Sequence, residues 1–331
     1  MVIKVAVFAY DDCLATSIAG PIDMFKFANT HSELVSKPHK PRFSWVVVST
    51  DGRPVKTSGG LMIHVDGDLN TALDADIVMI ASLDHAHGHE VLQLVRKMNN
   101  LVSPWLIRLH RGNVILAAQC SGAFFLAESG LLNGLSATTS WWLSPTLKKN
   151  YPQVKVKSEA LVVEEDQLVS CGAFGSYMNL CVQLIEQFAG REIATRCAKT
   201  ALIHTQPISQ APLVPLYRGV QHQDSVIFNA INWMKENLQT EISINDMGAR
   251  FALSPRTFNR RFKESTGKPP KNYLQNLRIE AARHLLERSS MTLEDIVREV
   301  GYQDLSSFRR LFKRELQLSP IEYRRQFSLM D

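Results

Sequence analysis

The sequence predicts an α/β domain followed by an all-α domain. Strand-like and helix-like segments alternate over roughly the first 200 residues, and several strand-like runs are apolar at consecutive positions. Strands buried on both faces of a parallel sheet have this pattern, and the alternation is typical of a sheet with helices on both faces. After residue 224 the periodicity is helical throughout. We therefore expect a first domain over 1–205, a linker over 206–224 and a second domain over 225–331.

Hydrophobic periodicity locates the elements of the first domain. The predicted strands are 2–9, 43–50, 76–82, 113–118 and 167–173. The helical patterns between them are 20–30, 88–100, 121–130, 140–150 and 175–190. The segment QPISQAPLVPLYR (206–218) contains three prolines, which preclude a regular helix and predict a linker.

The positive charge of the chain is concentrated in its last third. The net charge is +5, and residues 225–331 alone hold 18 Lys and Arg against 13 Asp and Glu, while residues 1–224 are balanced. This asymmetry favours a polyanionic partner for the second domain, although a basic segment can also serve solubility alone.

The sequence contains no stretch near the roughly 20 apolar residues of a membrane span. The opening MVIKVAVFAYDD is too short for a signal peptide and predicts the first strand. The five cysteines are scattered without a CxxC pair, which favours neither a disulfide framework nor a structural zinc site and indicates a reducing cytoplasm. These cysteines are Cys13, Cys120, Cys171, Cys181 and Cys197.

The last third contains an internal repeat. The segment TFNRRFKESTGKPPKNY (257–273) matches SFRRLFKRELQLSPIEY (307–323) with a shift of 50 residues. In each copy a short helical segment opens with a capping signal, and a second helix begins at a new cap. Two short helices joined by a tight turn predict a helix-turn-helix in each copy. The caps are Ser243-x-x-Asp246 and Ser254-Pro255 in the first copy, and Thr292-x-x-Asp295 and Asp304 in the second.

The second helix of each predicted unit has an apolar face and a basic face. Two phenylalanines share the inner face of each helix: Phe258 with Phe262, and Phe308 with Phe312. An Arg side chain binds guanine bidentately, Asn does the same to adenine, and the lysines farther along are better placed for phosphate. The alternative, a solvated basic face, is disfavoured because two copies share caps, aromatic residues and basic rows. The outer rows are Arg256, Asn259, Arg260 and Lys263 in the first copy, and Ser306, Arg309, Arg310 and Lys313 in the second.

Residues from about Ser243 to Phe327 resemble the AraC/XylS family of transcription regulators. The resemblance rests on LSPRTFNRRFKESTGKPPKNYLQNLRIEAARHLL and GYQDLSSFRRLFKRELQLSPIEYR. It implies two helix-turn-helix units, joined by a long helix over 272–286, whose recognition helices enter successive major-groove segments on one face of the DNA. Gln317 stands where many relatives, and the first copy at Gly267, have glycine, which affects only the expected turn.

The segment AAQCSGAFFLAESG (117–130) places Cys120 on a sharp turn between a predicted strand and a predicted helix. With IAGPIDMF (18–25) and LSATTSWW (135–142), it resembles the DJ-1/PfpI group of the class I glutamine amidotransferase-like superfamily. That resemblance implies a flavodoxin-like parallel sheet. The two resemblances together are those of GlxA-like regulators, in which a DJ-1-like sensor precedes an AraC-type domain.

The resemblance also shows what a catalytic thiol would lack here. Ser140 stands where related enzymes have a histidine, Ser17 where DJ-1-like proteins carry an acid, and Ala81-Ser82 where paired glycines help to form an oxyanion hole. We call this turn at Cys120 the elbow, and we expect it to be degenerate, without catalytic activity. Its backbone N–H groups suit an anionic group such as a carboxylate. The expected ligand-binding residues are Ser17, Cys120, Ser121, Ser140 and Trp141.

Two further features have competing interpretations. DHAHGHE (84–90) offers metal ligands, but a polar loop before a helix is the favoured interpretation, and neither a metal nor another cofactor is expected. Trp141 and Trp142 either line the pocket or pack in the core, and core packing is favoured.

The sequence thus predicts a sequence-specific DNA-binding transcription regulator whose first domain senses a small metabolite. The expected partners are double-stranded DNA, an effector such as an amino acid or small amine, and a second copy of the chain. RNA polymerase is an open further partner, and no membrane is expected. Two alternatives stay open: a thiol hydrolase or amidase fused to a DNA-binding module, and a redox sensor that uses oxidation of Cys120.

Overall fold

The chain forms two structural units, Met1–Gln210 and Ala211–Asp331. The structure, a computed structural model, describes residues 2–34, 41–84, 87–203, 209–214, 224–240 and 242–329. Much of the expected linker lies outside the described residues, so its bounds stay a prediction. Within the described part of the chain, no helix is both long and apolar enough to cross a bilayer.

The first unit is built on a six-stranded sheet with the order β2-β1-β5-β6-β10-β9. All neighbouring strands are parallel except β9, which runs antiparallel to β10 at one edge. The five parallel strands follow the flavodoxin-like connectivity, which confirms the predicted fold class. Strands β5, β6 and β10 are buried at every position, which explains their continuous apolar runs. The strands are β1 (Val2–Phe8), β2 (Arg42–Val48), β3 (Val55–Lys56), β4 (Met62–Ile63), β5 (Ile77–Ile80), β6 (Ile115–Ala118), β7 (Ser136–Ala137), β8 (Lys155–Val156), β9 (Val162–Glu165) and β10 (Leu168–Cys171).

The described residues of the first unit include six α-helices. Helix α2 extends well beyond the predicted end at residue 100, because Val102, Trp105 and Leu109 continue its buried face and Pro104 is accommodated within it. Neither α6 nor the edge strand β9 was expected from the sequence. The helices are α1 (Thr16–Glu33), α2 (Gly88–Arg111), α3 (Ala123–Glu128), α4 (Ser144–Asn150), α5 (Tyr177–Ala189) and α6 (Arg191–Thr200).

In the second unit the described elements are all helical and form two small cores. One core contains Phe258 and Phe262, the other Phe308 and Phe312. The long helix α10 contributes to both, with Tyr273, Leu274 and Leu277 in the first core and Ile279, Ala282 and Leu286 in the second. The helices are α7 (Ser225–Glu236), α8 (Ile244–Arg250), α9 (Pro255–Thr266), α10 (Pro270–Arg288), α11 (Leu293–Glu299), α12 (Leu305–Leu316) and α13 (Pro320–Phe327).

The predicted caps begin the helices of both repeats. The side-chain oxygen of each cap accepts a hydrogen bond from a backbone N–H of the first turn, which would otherwise lack a partner. The four caps are Ser243 on α8, Ser254 on α9, Thr292 on α11 and Asp304 on α12.

The two repeats also end their second helices alike. Gly267 (φ +75°) and Gln317 (φ +59°) both adopt the left-handed conformation. Each backbone N–H donates to the carbonyl four residues earlier, in Lys263 or Lys313, at 2.8 Å. The glycine of the first copy and the glutamine of the second therefore form the same turn, at a conformational cost that only the glutamine bears.

Replacing Gln317 by glycine should raise the free energy of unfolding by about 1 kcal/mol, because glycine adopts this conformation without steric cost. The converse change, Gly267→Ala, should lower it by about 1 kcal/mol. No atom lies within 4 Å of a Cβ built at Gly267, so its effect is conformational rather than steric. Urea unfolding of the full chain measures both, and unchanged midpoints in both variants would contradict this account of the turn.

Candidate functional site

Helix α9 is held by a cluster of aromatic rings. The Phe258 and Phe262 rings lie 5.5 Å apart, and Phe262 meets Tyr273 of α10 edge-on at 5.3 Å. Both phenylalanines are fully buried. Because Phe258 and Phe262 are four residues apart, they fix which face of α9 points inward, and the opposite face points to solvent.

Helix α12 repeats this arrangement. The Phe308 and Phe312 rings lie 5.6 Å apart, and Phe312 meets Tyr323 of α13 edge-on, also at 5.6 Å. The sequence repeat is thus also a repeat of ring packing, with the phenylalanines in the same rotational position on each helix.

The structure leaves the predicted reading rows exposed on both helices. All eight side chains lie on the side of their helix away from the phenylalanines. They are Arg256, Asn259, Arg260 and Lys263 on α9, and Ser306, Arg309, Arg310 and Lys313 on α12. Their role in DNA binding stays a prediction, but each is placed to contact a partner without rearrangement of its core.

The two rows differ in how their central arginines are paired. The Arg260 guanidinium donates to both oxygens of Glu264 at 3.1 Å, whereas Arg310 donates to the Ser307 hydroxyl at 3.1 Å. The repeat position equivalent to Glu264 is Arg314, which is exposed and was missed in the sequence analysis. Arg314 in turn donates to Glu315 at 2.9 and 2.7 Å, so each helix carries one Arg–Glu pair, but in α9 that pair involves the central arginine of the row.

Arg261 follows Arg260 on α9 but has a structural role instead. Its guanidinium donates to both oxygens of Asp224, at 2.9 and 2.7 Å, and lowers the pKa of that carboxyl group. Asp224 in turn caps α7 by accepting from the N–H groups of Val226 and Ile227. Arg261 thereby ties the first turn of α7 to α9.

In the first unit, the elbow is a strained turn. Cys120 follows β6 with φ +48°, a left-handed conformation that is unusual for a residue with a side chain. Two residues later, a Cβ on Gly122 would lie 3.0 Å from the Ile80 carbonyl oxygen, so the turn presses closely on β5. The Ser121 hydroxyl accepts the Leu83 N–H at 2.8 Å and holds the turn on its other side.

The structure brings most of the predicted ligand residues together at this elbow. The Cys120 thiol is in hydrogen-bonding contact with the Ser140 hydroxyl, and the Thr139 hydroxyl donates to the Cys120 carbonyl at 2.8 Å. Gln119 links the elbow to α1 by donating to the Ser17 carbonyl at 2.8 Å. Ser17, Cys120, Ser121 and Ser140 are all buried.

Gln119 is a residue that the sequence analysis missed. Its side chain is 2% exposed, and its Oε1 atom has no hydrogen-bond partner among the described residues. A buried acceptor without a donor is costly, so this position favours a group that carries an N–H or O–H. The sequence gives no signal for this role, because a glutamine after a strand carries no distinctive pattern. Only the structure reveals the unpaired acceptor.

The rings of Trp141 and Trp142 contact each other in the turn before α4. Their rings meet edge-on at 5.4 Å, Trp141 is half-buried and Trp142 is 37% exposed. The favoured interpretation, core packing, is therefore wrong for Trp142, because the turn directs it toward solvent. Trp141 lies directly after Ser140.

The surroundings of the Cys120 thiol supply little that would activate it. Among the described residues its side-chain hydrogen-bond partner is Ser140, and a hydroxyl is neither the general base nor the cation that activates a nucleophilic thiol. Burial raises the pKa of the Cys171 thiol to about 12 and that of Cys13 to about 11. Both therefore stay protonated at neutral pH.

The structure describes only part of the predicted metal-binding stretch 84–90, since His85 and Ala86 lie outside the described residues. His87 begins α2 as its N-cap, and its N–H donates to Glu90 at 2.9 Å. Among the described residues, no group of three or more potential metal ligands comes together.

Models of two families match the chain. The model of the DJ-1/PfpI family matches residues 3–187, and a model of a helix-turn-helix domain matches residues 247–326. Together with the flavodoxin-like sheet and the paired reading helices, these matches define a class: transcription regulators with a DJ-1-like domain ahead of an AraC-type DNA-binding domain. The chain belongs to the DJ-1/PfpI family and, through its AraC-type domain, is a DNA-binding transcription regulator.

Two named regulators are similar to this chain along most of their length. The HTH-type transcriptional regulator CdhR of Pseudomonas aeruginosa is 26% identical over 289 residues, which cover 86% of this chain and 83% of CdhR. The HTH-type transcriptional regulator GbdR of Pseudomonas aeruginosa is 23% identical over 317 residues, covering 95% and 82%.

The similarity to solved structures supports only the fold of this chain, and covers part of it. Drosophila melanogaster DJ-1beta has a TM-score of 0.50 at 20% identity and covers 62% of this chain and 100% of its own. A ThiJ/PfpI family protein from Pseudomonas syringae has a TM-score of 0.50 at 15% identity, covering 62% and 77%.

The pairing of Arg260 predicts an effect of Glu264 on DNA binding. Glu264→Gln frees Arg260 and removes a negative charge from the reading face, so the affinity for DNA should rise about three- to tenfold at low salt and less at high salt. The reciprocal change in the second repeat, Arg314→Glu, should weaken binding. Fluorescence anisotropy with a labelled duplex over a salt series measures both.

The matched control is Glu186→Gln, which makes the same charge change on an exposed position of α5 in the first unit. The affinity of the Glu186→Gln variant for DNA should equal that of the unchanged chain. If Glu264→Gln and Glu186→Gln behaved alike, Glu264 would not restrain the reading face.

Proposed function

We propose that the exposed faces of α9 and α12 read DNA sequence in two successive segments of the major groove. The observation that carries this proposal is the duplicated ring cluster, which presents two equivalent rows of polar side chains to solvent. A single basic helix face is common on protein surfaces. Two faces with the same caps, rings and basic positions instead fit a pair of DNA-recognition helices. We call α9 and α12 together the two-part reading head.

Within this head, the side chains differ in the chemistry they offer. Arg260 and Arg310 occupy equivalent central positions and suit bidentate binding of guanine, while Asn259 suits adenine. Lys263 and Lys313, one turn farther along, suit phosphates and would position the helices rather than select sequence. Arg256, Ser306 and Arg309 complete the rows and contact base edges or the backbone.

The elbow of the first unit serves, in this proposal, as the binding site for a small effector such as an amino acid or a small amine. Support comes from the contact of the buried Ser140 hydroxyl with the Cys120 thiol, beside the buried Ser121. Ser17, also buried, meets the elbow through its backbone carbonyl, which accepts from the Gln119 amide. Gln119 adds an unpaired acceptor, and Trp141 an aromatic surface that suits a cation. Effector binding regulates only if it favours one arrangement of the DNA-reading unit over another.

The elbow acts without catalysis in this account, and the chain works as a homodimer in the cytoplasm. The uncharged partners of the thiol support a binding role, since a hydrolase would need a base beside Cys120. Pairing through the DJ-1-like unit would bring two reading heads to one operator, and residues 206–224 would connect each head to its sensor. RNA polymerase is then the partner through which transcription changes.

The reading face is tested by Arg260→Ala and Arg310→Ala. Each variant should lose about 1–3 kcal/mol of binding to an operator selected from a random duplex pool, because each removes a bidentate contact to a base. The loss should be confined to the selected sequence, with little change on unrelated duplexes.

The control is Arg298→Ala, which removes an equally exposed arginine from α11, where it pairs with Asp295 at 2.6 Å. Its operator affinity should stay within about twofold of the unchanged chain, as expected for a charge away from the reading rows. Full affinity and selectivity in both Arg260→Ala and Arg310→Ala would show that the reading face is wrongly assigned.

The sensing role is tested by thermal unfolding of the full chain against a panel of amino acids and small amines. A true effector at a hundred times its Kd stabilises by about 2.7 kcal/mol and should raise Tm by a few degrees. Cys120→Ser should keep binding within about threefold, whereas Ser140→Ala should weaken it about fivefold through one lost hydrogen bond.

Ser129→Ala is the matched control, since that hydroxyl is part-buried and bonds within its own helix to the Leu126 carbonyl. Loss of binding in Cys120→Ser with full binding in Ser140→Ala would instead favour thiol chemistry. A panel without a single stabilising compound would contradict the proposed class of effector.

A further inference from the structure

Gln210, the last residue of the first unit, is buried within that unit although it belongs to the predicted linker. Its side chain is 3% exposed. Its backbone N–H donates to the Glu159 carbonyl at 2.9 Å, and the Ser209 hydroxyl donates to the same carbonyl at 2.8 Å. The chain is therefore fastened to the body of the first unit at Ser209 and Gln210, inside the predicted linker.

The Gln210 amide joins three separate loops. Its Nε2 donates to the carbonyls of Thr139 at 3.1 Å and Ala160 at 3.0 Å. Its Oε1 accepts the N–H groups of Ala173 at 2.9 Å and Trp141 at 3.3 Å. Both ends of the amide are thus satisfied by buried or half-buried backbone, an arrangement that only a carboxamide can complete.

The cavity that holds this side chain depends on a glycine. A Cβ placed on Gly172 would lie 2.4 Å from Cδ and Nε2 of Gln210. Any larger residue at 172 would therefore displace the amide. Shape and hydrogen bonding point independently to a slot that fits this one side chain.

The slot adjoins the proposed effector site through the loop 139–141. Thr139 donates its hydroxyl to the Cys120 carbonyl at 2.8 Å and accepts the Gln210 amide on its own carbonyl. The next residue, Ser140, contacts the Cys120 thiol, and Trp141 donates its N–H to Gln210. The loop that contacts the elbow on one side therefore holds the start of the linker on the other.

We propose that Gln210 is the positioning residue that couples the effector site to the linker, and through it to DNA binding. The inference rests on the proposed sensing role of the elbow. An effector that contacts Ser140 or Trp141 moves the loop 139–141, and Gln210 can keep its bonds in only one arrangement of that loop. Seating or release of Gln210 changes the free length of chain that precedes the DNA-binding unit, which biases its available arrangements.

Two variants release Gln210 by different physical means. Gln210→Glu keeps the acceptor but turns a carboxylate oxygen toward the carbonyls of Thr139 and Ala160. Gly172→Ala leaves Gln210 unchanged and fills its slot with a methyl group. In hydrogen exchange of the full chain without effector, peptides covering 138–141 and 209–214 should exchange roughly tenfold faster in both variants, while strands β5 and β6 stay protected.

The same variants should change the affinity for the selected operator by about threefold or more, because linker and reading head are coupled. Gly175→Ala is the matched control for Gly172→Ala, since no atom lies within 4 Å of a Cβ built there. Gln153→Glu, on an exposed position of the same unit, repeats the charge change of Gln210→Glu. Both controls should match the unchanged chain.

A double variant separates release from general damage. In a Gln210→Ala background the slot is empty, so Gly172→Ala should add no further increase in exchange. An additive increase would overturn the inference, as would faster exchange of 209–214 without that of 138–141, or unchanged operator affinity after release.

These readouts need no effector, so they are independent of the sensing proposal. If no panel compound bound, the sensing role would fail while the exchange results still measured the slot. If an effector changed operator affinity equally in Gly172→Ala and in the unchanged chain, the sensing role would stand and the coupling through Gln210 would be wrong.

Discussion

The packing of two phenylalanines and a tyrosine beneath each reading helix is the constraint on which the DNA-binding unit depends. Burial of each ring contributes about 2–3 kcal/mol and fixes the rotation of its helix, so the basic rows can only face outward. Helix α10, with 19 residues, contributes to both cores. Because one helix belongs to both cores, it connects the two reading helices.

The elbow of the first unit keeps the backbone geometry of a nucleophile turn while its surroundings offer hydroxyl and amide groups. The positive φ of Cys120 and the close approach of Gly122 to β5 are maintained, which requires that the rest of the fold stabilises this strain. Strain of this kind persists at functional sites, and here it holds polar groups in a fixed array. A fixed array of polar groups linked through Thr139 to Gln210 is what the proposed sensing role requires.

Local patterns in the sequence predicted much of this architecture. Consecutive apolar residues located the five parallel strands, and caps, glycine and proline located the paired helices of the second unit. The four-residue strand Val162–Glu165 was missed because its sequence VVEE is half charged, and α6 because only Gly190 separates it from α5. Gln119 and Gln210 were missed for a different reason: the bond from Gln210 to Thr139 joins residues 71 apart, and no local pattern encodes such a contact.

Chemical footprinting of guanine N7 positions on a selected operator tests the central claim most directly, because N7 lies in the major groove. If α9 and α12 of one chain both read DNA, each head should protect two patches on one face of the duplex, separated by about one helical turn of 10 base pairs. A single protected patch for each head, or no protection of N7 on an operator that the chain still binds, would contradict the two-part reading head.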